Sequence, residues 1–193
     1  MILPLKFPTL ESFNDEELVA FSLANPDLFV ERDEKGQLFI TMTPTFALSS
    51  SNNSELIGEL IIWNRKYKAG KVLESNGGFF LPDSSMRVPD LAWIRLDRWK
   101  ALSMAEKKSF LRLVPDFIIE LKSETDSLLE LKAKMQKWVD NGVRLAWLVS
   151  TETQTTYIYK PGMPESACSF DEEISGEDVL VGFSVRMSDI LEY

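Results

Sequence analysis

Apolar positions recur along this chain in two alternating periods, and the switches between them outline the elements. Leu18, Phe21 and Leu23 fall at helical spacing within 15–24, and Asn25-Pro26 ends that run. Residues 28–31 and 37–43 read as two strands around the turn Asp33-Glu34-Lys35-Gly36. A loop is expected over 44–51. Leu56, Ile57, Leu60, Ile61 and Trp63 then line one face of a helix over 53–68, with Gly70 as its stop. Strands are expected at 72–74, 78–81 and 91–94. Ser103 and Glu106 form a capping box for a helix over 103–113, closed by Pro115. The most apolar strand, 116–121, follows. Thr125 or Asp126 caps the next helix, which runs to about residue 140 with Leu128, Leu131, Met135, Trp138 and Val139 inward. Gly142 stops it. Strands at 143–149 and 155–160, the turn Pro161-Gly162, the segment 179–183 and a short helix at 188–191 finish the chain.

Helices interleaved with strands, with a hairpin in front, predict an α/β arrangement around a mixed central sheet. A length of 193 residues fits one domain over 1–193 with one sizeable core. No apolar run reaches the roughly 20 residues of a membrane helix. The N-terminal stretch lacks the basic-then-apolar pattern of a signal peptide. The lone Cys168 has no internal disulfide partner, so a reducing cytoplasm is the expected location.

One strand end breaks the pattern. Phe117-Ile118-Ile119-Glu120-Leu121-Lys122 has a buried strand's composition yet ends in two charges. Burying an unpaired charge costs several kcal/mol, so charges here need either a function or solvent. Strand alternation puts Glu120 and Lys122 on one face with Ile118, roughly 6–7 Å apart. Such a carboxylate can hold a divalent cation, and such an ammonium can orient or deprotonate a water. The plainer alternative is a strand that runs out into solvent with an exposed ion pair.

Composition narrows the chemistry. There is no histidine, which excludes Ser-His-Asp and Cys-His catalysis and histidine-ligated zinc. An oxygen-ligated hard cation remains open. The net charge of −9 argues against a protein that coats nucleic acid. The charge is uneven: residues 60–112 hold 11 Lys/Arg against 5 Asp/Glu. That stretch is either a set of solvated faces or a surface for a nucleic-acid backbone.

Three Pro-Asp pairs compete to supply a second carboxylate. Asp116 lies four residues before Glu120 on the same strand, roughly 13 Å away when extended. Two ligands of one magnesium, each about 2.1 Å from it, cannot lie so far apart. Asp83, in Pro-Asp-Ser-Ser, reads as a turn residue. Asp90 opens a strand, and the chain has room to return and pair beside it.

The blocks NPDLFVERDEKGQLFI, GGFFLPDSSMRVPDLAWI, PDFIIELKSETDSLLELKAKMQKWVDNGVRLAWLV and SGEDVLVGFSV, with the helix ending in IIWN, resemble the bacterial Uma family of restriction-endonuclease-like proteins over nearly the whole chain. The resemblance implies a PD-(D/E)xK nuclease fold. It implies Asp90 and Glu120 as metal ligands, Lys122 as the catalytic lysine, a Mg²⁺ or Mn²⁺ cofactor, DNA as substrate and a homodimer. The Leu121 carbonyl is a further candidate ligand. Glu31 matches a family glutamate and is weighed against a plain hairpin charge. Glu55 and Glu59 lie on a helix where related nucleases place an acid, and are weighed against a solvated face. Lys134 and Gln136 are candidates for touching a phosphate, against ordinary helix-surface roles. The competing reading of function is a non-catalytic nucleic-acid-binding or regulatory module that keeps the nuclease fold.

Overall fold

The computed structural model describes residues 2–5, 13–42 and 46–193. Its strands are β1 (Ile2–Leu5), β2 (Leu28–Arg32), β3 (Leu38–Met42), β4 (Gly70–Glu74), β5 (Phe79–Phe80), β6 (Met86–Arg87), β7 (Leu91–Arg95), β8 (Phe117–Lys122), β9 (Leu145–Ser150), β10 (Thr155–Tyr159), β11 (Ser166–Ser169), β12 (Glu173–Ser175) and β13 (Ser184–Arg186). The helices are α1 (Asp15–Ala24), α2 (Ala47–Tyr67), α3 (Leu96–Ala101) and α4 (Leu128–Asp140). No helix among the described residues is long and apolar enough to cross a membrane.

The central sheet has the order β11-β10-β9-β8-β7-β4. It is mixed: β8 and β9 pair in parallel, and the other neighbours run antiparallel. Every residue of β8 and β9 is buried, the charged Glu120 and Lys122 and the polar Ser150 along with the apolar residues. On one face, Phe117, Ile119 and Leu121 pack with Leu56, Leu60 and Trp63 of α2 and with the C-terminal β12–β13 region. On the other face, Ile118 packs with Met135, Trp138 and Val139 of α4. The hairpin β2–β3 belongs to a second sheet, ordered β1-β3-β2-β6-β5, whose core includes Leu18 of α1.

Helix α1 coincides with the expected span. Asn14 and Glu17 form its capping box. Helix α2 starts earlier than expected, at Ala47, inside the expected loop; the first part of that loop lies outside the described residues. The Ser/Asn-rich run before residue 54 has weak helix propensity. Tertiary contact holds it: buried Asn52 donates to the Glu192 carbonyl at 2.8 Å and accepts from the Glu192 N–H at 3.0 Å.

The helix expected over 103–113 shrinks to one 3₁₀ turn at Glu106–Lys108. Its capping box does form, between Ser103 and Glu106. The chain then straightens because the Leu111 backbone bonds to Gly78 and Phe80. A short helix, α3, forms just ahead of it. Ser127, rather than Thr125 or Asp126, caps α4. Asp126 instead accepts from Ser123. The 179–183 segment is a turn leading into β13, with Gly182 at φ +76°.

Gly70 is not the stop of α2. Lys68 takes the left-handed cap at φ 52°, and Gly70 opens β4. The glycine is required by a close approach: a Cβ there would lie 2.2 Å from the Ile94 carbonyl oxygen and 2.5 Å from the Trp93 ring. Neither can yield cheaply, since Trp93 is buried and its indole N–H bonds Asn64. Gly70→Ala is expected to destabilise the protein by about 3 kcal/mol through overpacking. Urea unfolding measures this, and a change below about 0.5 kcal/mol would contradict the account.

Candidate active site

Strand pairing brings the two expected carboxylates together. Strands β7 and β8 are antiparallel with Leu91 opposite Ile119. One step further along this register, Asp90 lies across from Glu120. Directly opposite residues have Cβ atoms about 5 Å apart. Asp90 Oδ2 accepts a 2.7 Å hydrogen bond from the Leu121 N–H, beyond the last β7–β8 pair. A strand residue's N–H and C=O point to the same side, so the Leu121 carbonyl also faces the Asp90 side.

Glu120 shares the Ile118 face and lies against α4. Its Oε1 accepts from the Trp138 indole N–H at 3.0 Å and lies 2.9 Å from the Lys134 ammonium. Lys134 and Trp138 are four apart, so one helix face delivers both donors. The same ammonium is 3.0 Å from Glu31 Oε1 on β2 and 3.3 Å from the Val88 carbonyl before β7. Glu31 Oε1 also accepts from the Val88 N–H at 2.7 Å. Two carboxylates, Glu120 and Glu31, thus hold one lysine, and the Asp90 charge acts on it from nearby.

Their protonation follows from that crowding. Burial pushes Glu120 up to about 8; the Asp90 and Glu31 charges add to the rise, and Lys134 opposes it. Burial likewise raises Asp90, against the Leu121 hydrogen bond and Lys134, with Asp126 and Glu31 adding to the rise. Burial alone would lower the Lys134 ammonium, but Glu120, Glu31 and Asp90 outweigh it, so Lys134 is raised and stays charged.

The other expected residues separate. The Lys122 ammonium is 2.7 Å from Glu152, just past β9, and donates to the Ser123 carbonyl at 3.2 Å. It borders an open cavity of about 370 Å³ lined also by Leu48, Ser123, Glu124, Thr151, Glu152 and Tyr193. Glu55 and Glu59 ride on α2, which packs on the sheet face opposite Glu120. Gln136 is exposed and donates to Asp140. Asp116 is buried, 2.9 Å from Arg98, and accepts from the Arg95 N–H. Asp83 accepts a turn bond from the Ser85 N–H and exchanges long-range bonds with the Asn141 side chain.

Much of the basic stretch lies away from this cluster. Gly70 pairs with Arg95 at the far end of β7 from Asp90, which places Lys68, Lys71, Arg95 and Arg98 at that far end. Arg95 bonds Asp97, and Arg112 pairs with Asp15.

Sequence reasoning placed Trp138 in the core and missed its bond to Glu120. A readable signal existed. Lys134 sits three after Leu131 and four before Trp138, a charge on the apolar face of α4.

The donor set suits a hard cation. All candidate ligand atoms are oxygens, and Asp90 Oδ1 has no hydrogen-bond partner among the described residues. Among the described residues, no three or more Asp, Glu, Cys or His side chains are spaced to hold one ion. Asp90 and Glu120 would supply two oxygen ligands to such an ion and leave its other positions to smaller ligands.

A mixed sheet flanked by helices, with Asp90 and Glu120 near each other on β7–β8, agrees with a restriction-endonuclease-like fold. The chain belongs to the Uma2 family, described as "Putative restriction endonuclease", whose model matches residues 15–188. It is similar to the crystal structure of a protein from Anabaena variabilis ATCC 29413, titled a putative nuclease belonging to DUF820, with a TM-score of 0.70 at 16% identity. The likeness covers 83% of this chain and 88% of that one. No curated protein matches the chain.

The weakened acidity of Glu120 predicts a pH signature in metal-free protein. A carboxyl bound more tightly to its proton in the folded state loses stability as pH rises from its unfolded value, near 4.5, to about 8. Glu120→Gln should therefore gain stability relative to wild type between pH 5 and pH 9, with the gap flat above that. Urea midpoints across this range test it. Parallel curves for the two proteins would contradict it.

Proposed function

We propose that this protein is a divalent-cation-dependent nuclease that hydrolyses phosphodiester bonds in DNA. The observation that supports it most is the Asp90–Glu120 juxtaposition across β7 and β8, with Asp90 held by the Leu121 N–H. Mg²⁺ or Mn²⁺ held by Asp90, Glu120 and the Leu121 carbonyl would stabilise charge on a phosphate and acidify a water. The protein's own groups do the positioning. Leu121 N–H fixes the Asp90 carboxylate, and Trp138 fixes Glu120. The reading includes a homodimer as the working form. It does not rest on the basic stretch as a DNA-facing surface, because much of that stretch lies at the far end of β7.

A second reading, a binding or regulatory module without catalysis, draws on one observation. The Lys134 ammonium already balances Glu120 and Glu31. Under this reading calorimetry shows no Mn²⁺ binding that depends on Glu120.

Cleavage of supercoiled plasmid and short duplexes with Mg²⁺ or Mn²⁺ separates the two. Asp90→Ala and Glu120→Ala should each lower the rate by at least about 100-fold, as loss of a transition-state-stabilising group does. Equal residual activity in wild type and both variants would defeat the nuclease assignment.

A further inference from the structure

Two lysines compete for the role that an ammonium plays beside such a carboxylate pair. Lys122 stands in the expected motif position, two residues after Glu120. Its ammonium, however, is engaged 2.7 Å from Glu152 and bonded to the Ser123 carbonyl, and its side chain is 7% exposed. Lys134 comes from a different element. Its ammonium lies 2.9 Å from Glu120 and 3.0 Å from Glu31, and donates to the Val88 carbonyl two residues before Asp90. Its side chain keeps 17% of its surface accessible, and its ammonium is held by three oxygen partners at the cluster.

We propose that Lys134, and not Lys122, is the lysine of this site, working from α4 beside the Asp90–Glu120 pair while Lys122 ties the end of β8 to the turn after β9. This rests on the metal-dependent reading above. The geometry supplies the reason. Strand alternation puts Lys122 on the Glu120 face, but its ammonium goes to Glu152 instead of Glu120: Lys122 pairs in register with Ser150, next to the turn that carries Glu152. An α4 lysine one turn before Trp138 reaches Glu120 directly, because Trp138 already fixes how that helix lies on the carboxylate. With a phosphodiester in the cluster, the Lys134 ammonium is the charge placed to contact a non-bridging phosphate oxygen or the attacking water. Glu31 and the Val88 carbonyl hold it in position.

The test uses the full chain and two readouts. Mn²⁺ calorimetry at pH 8.5 compares wild type, Lys134→Met, Lys134→Arg and Lys122→Met. Removing a positive charge beside a dication strengthens its binding, so Lys134→Met should bind Mn²⁺ about 10-fold tighter. Lys134→Arg should stay near wild type, and Lys122→Met should change less than about twofold. Plasmid cleavage should fall at least about 100-fold in Lys134→Met despite the tighter binding, and stay within about threefold in Lys122→Met. A lysine that only balances the carboxylates would tighten metal binding when neutralised and leave cleavage within about threefold. Lys134→Gln, which keeps a donor for Glu120, replaces the Met variant if that one does not fold. The proposal is overturned if Lys122→Met shows the affinity shift or the cleavage loss, or if the neutral Lys134 variants bind Mn²⁺ as wild type does. If wild type cleaves nothing, the nuclease reading fails, and the affinity arm alone still decides between the lysines.

Discussion

The carboxylate of Glu120, desolvated at the end of a central strand, is the constraint around which this molecule is arranged. A buried, unpaired carboxylate costs several kcal/mol, and β8 leaves no solvent beside it. Helix α4 answers with two donors from one face, the Trp138 indole and the Lys134 ammonium. The position of α4 is therefore set by a polar requirement as well as by Met135, Trp138 and Val139 in the apolar core. The same ammonium takes Glu31 and the Val88 carbonyl. The second sheet is thereby joined to the central one through the site itself.

This economy makes the site acidic and strained in charge. Glu120 and Glu31 share one lysine with Asp90 nearby, and burial and neighbouring charges raise both Asp90 and Glu120. Such a cluster gains when a cation enters and suffers when it is fully ionised without one. Perturbed carboxylates cluster at functional sites, and structural ion-pair networks perturb them as well. Arg98 with Asp116 is the structural counterexample in the same fold. There a buried carboxylate meets a guanidinium and a backbone N–H, and its role is to hold α3 against the sheet.

Local pattern failed where distant contacts overrode propensity. The Ser103–Glu106 capping box is real, but the helix it announces is cut short by the Leu111 pairing with Gly78 and Phe80. The start of α2 looked like a loop because Asn52 reads as polar, while its bonds to Glu192 lie 140 residues away. Gly70 read as a helix stop, and its actual reason is the Trp93 ring across the sheet. In each case the local residues are the same; a partner distant in sequence changes which conformation is cheapest.

By itself, the sequence determined that histidine chemistry is absent, gave β8 the composition of a buried strand, and made Asp90 rather than Asp83 or Asp116 the candidate to join Glu120. Those follow from composition, alternation and the reach of a strand. Only the tertiary structure decided which lysine stands beside the carboxylates. Strand alternation can place Lys122 on a face, but not say whether Glu152 claims its ammonium. Helical periodicity can place Lys134 on the apolar side of α4, but not say that Glu120 and Glu31 wait there. Long side chains are placed by the charges they find, and those charges come from strands and turns that only the fold brings together.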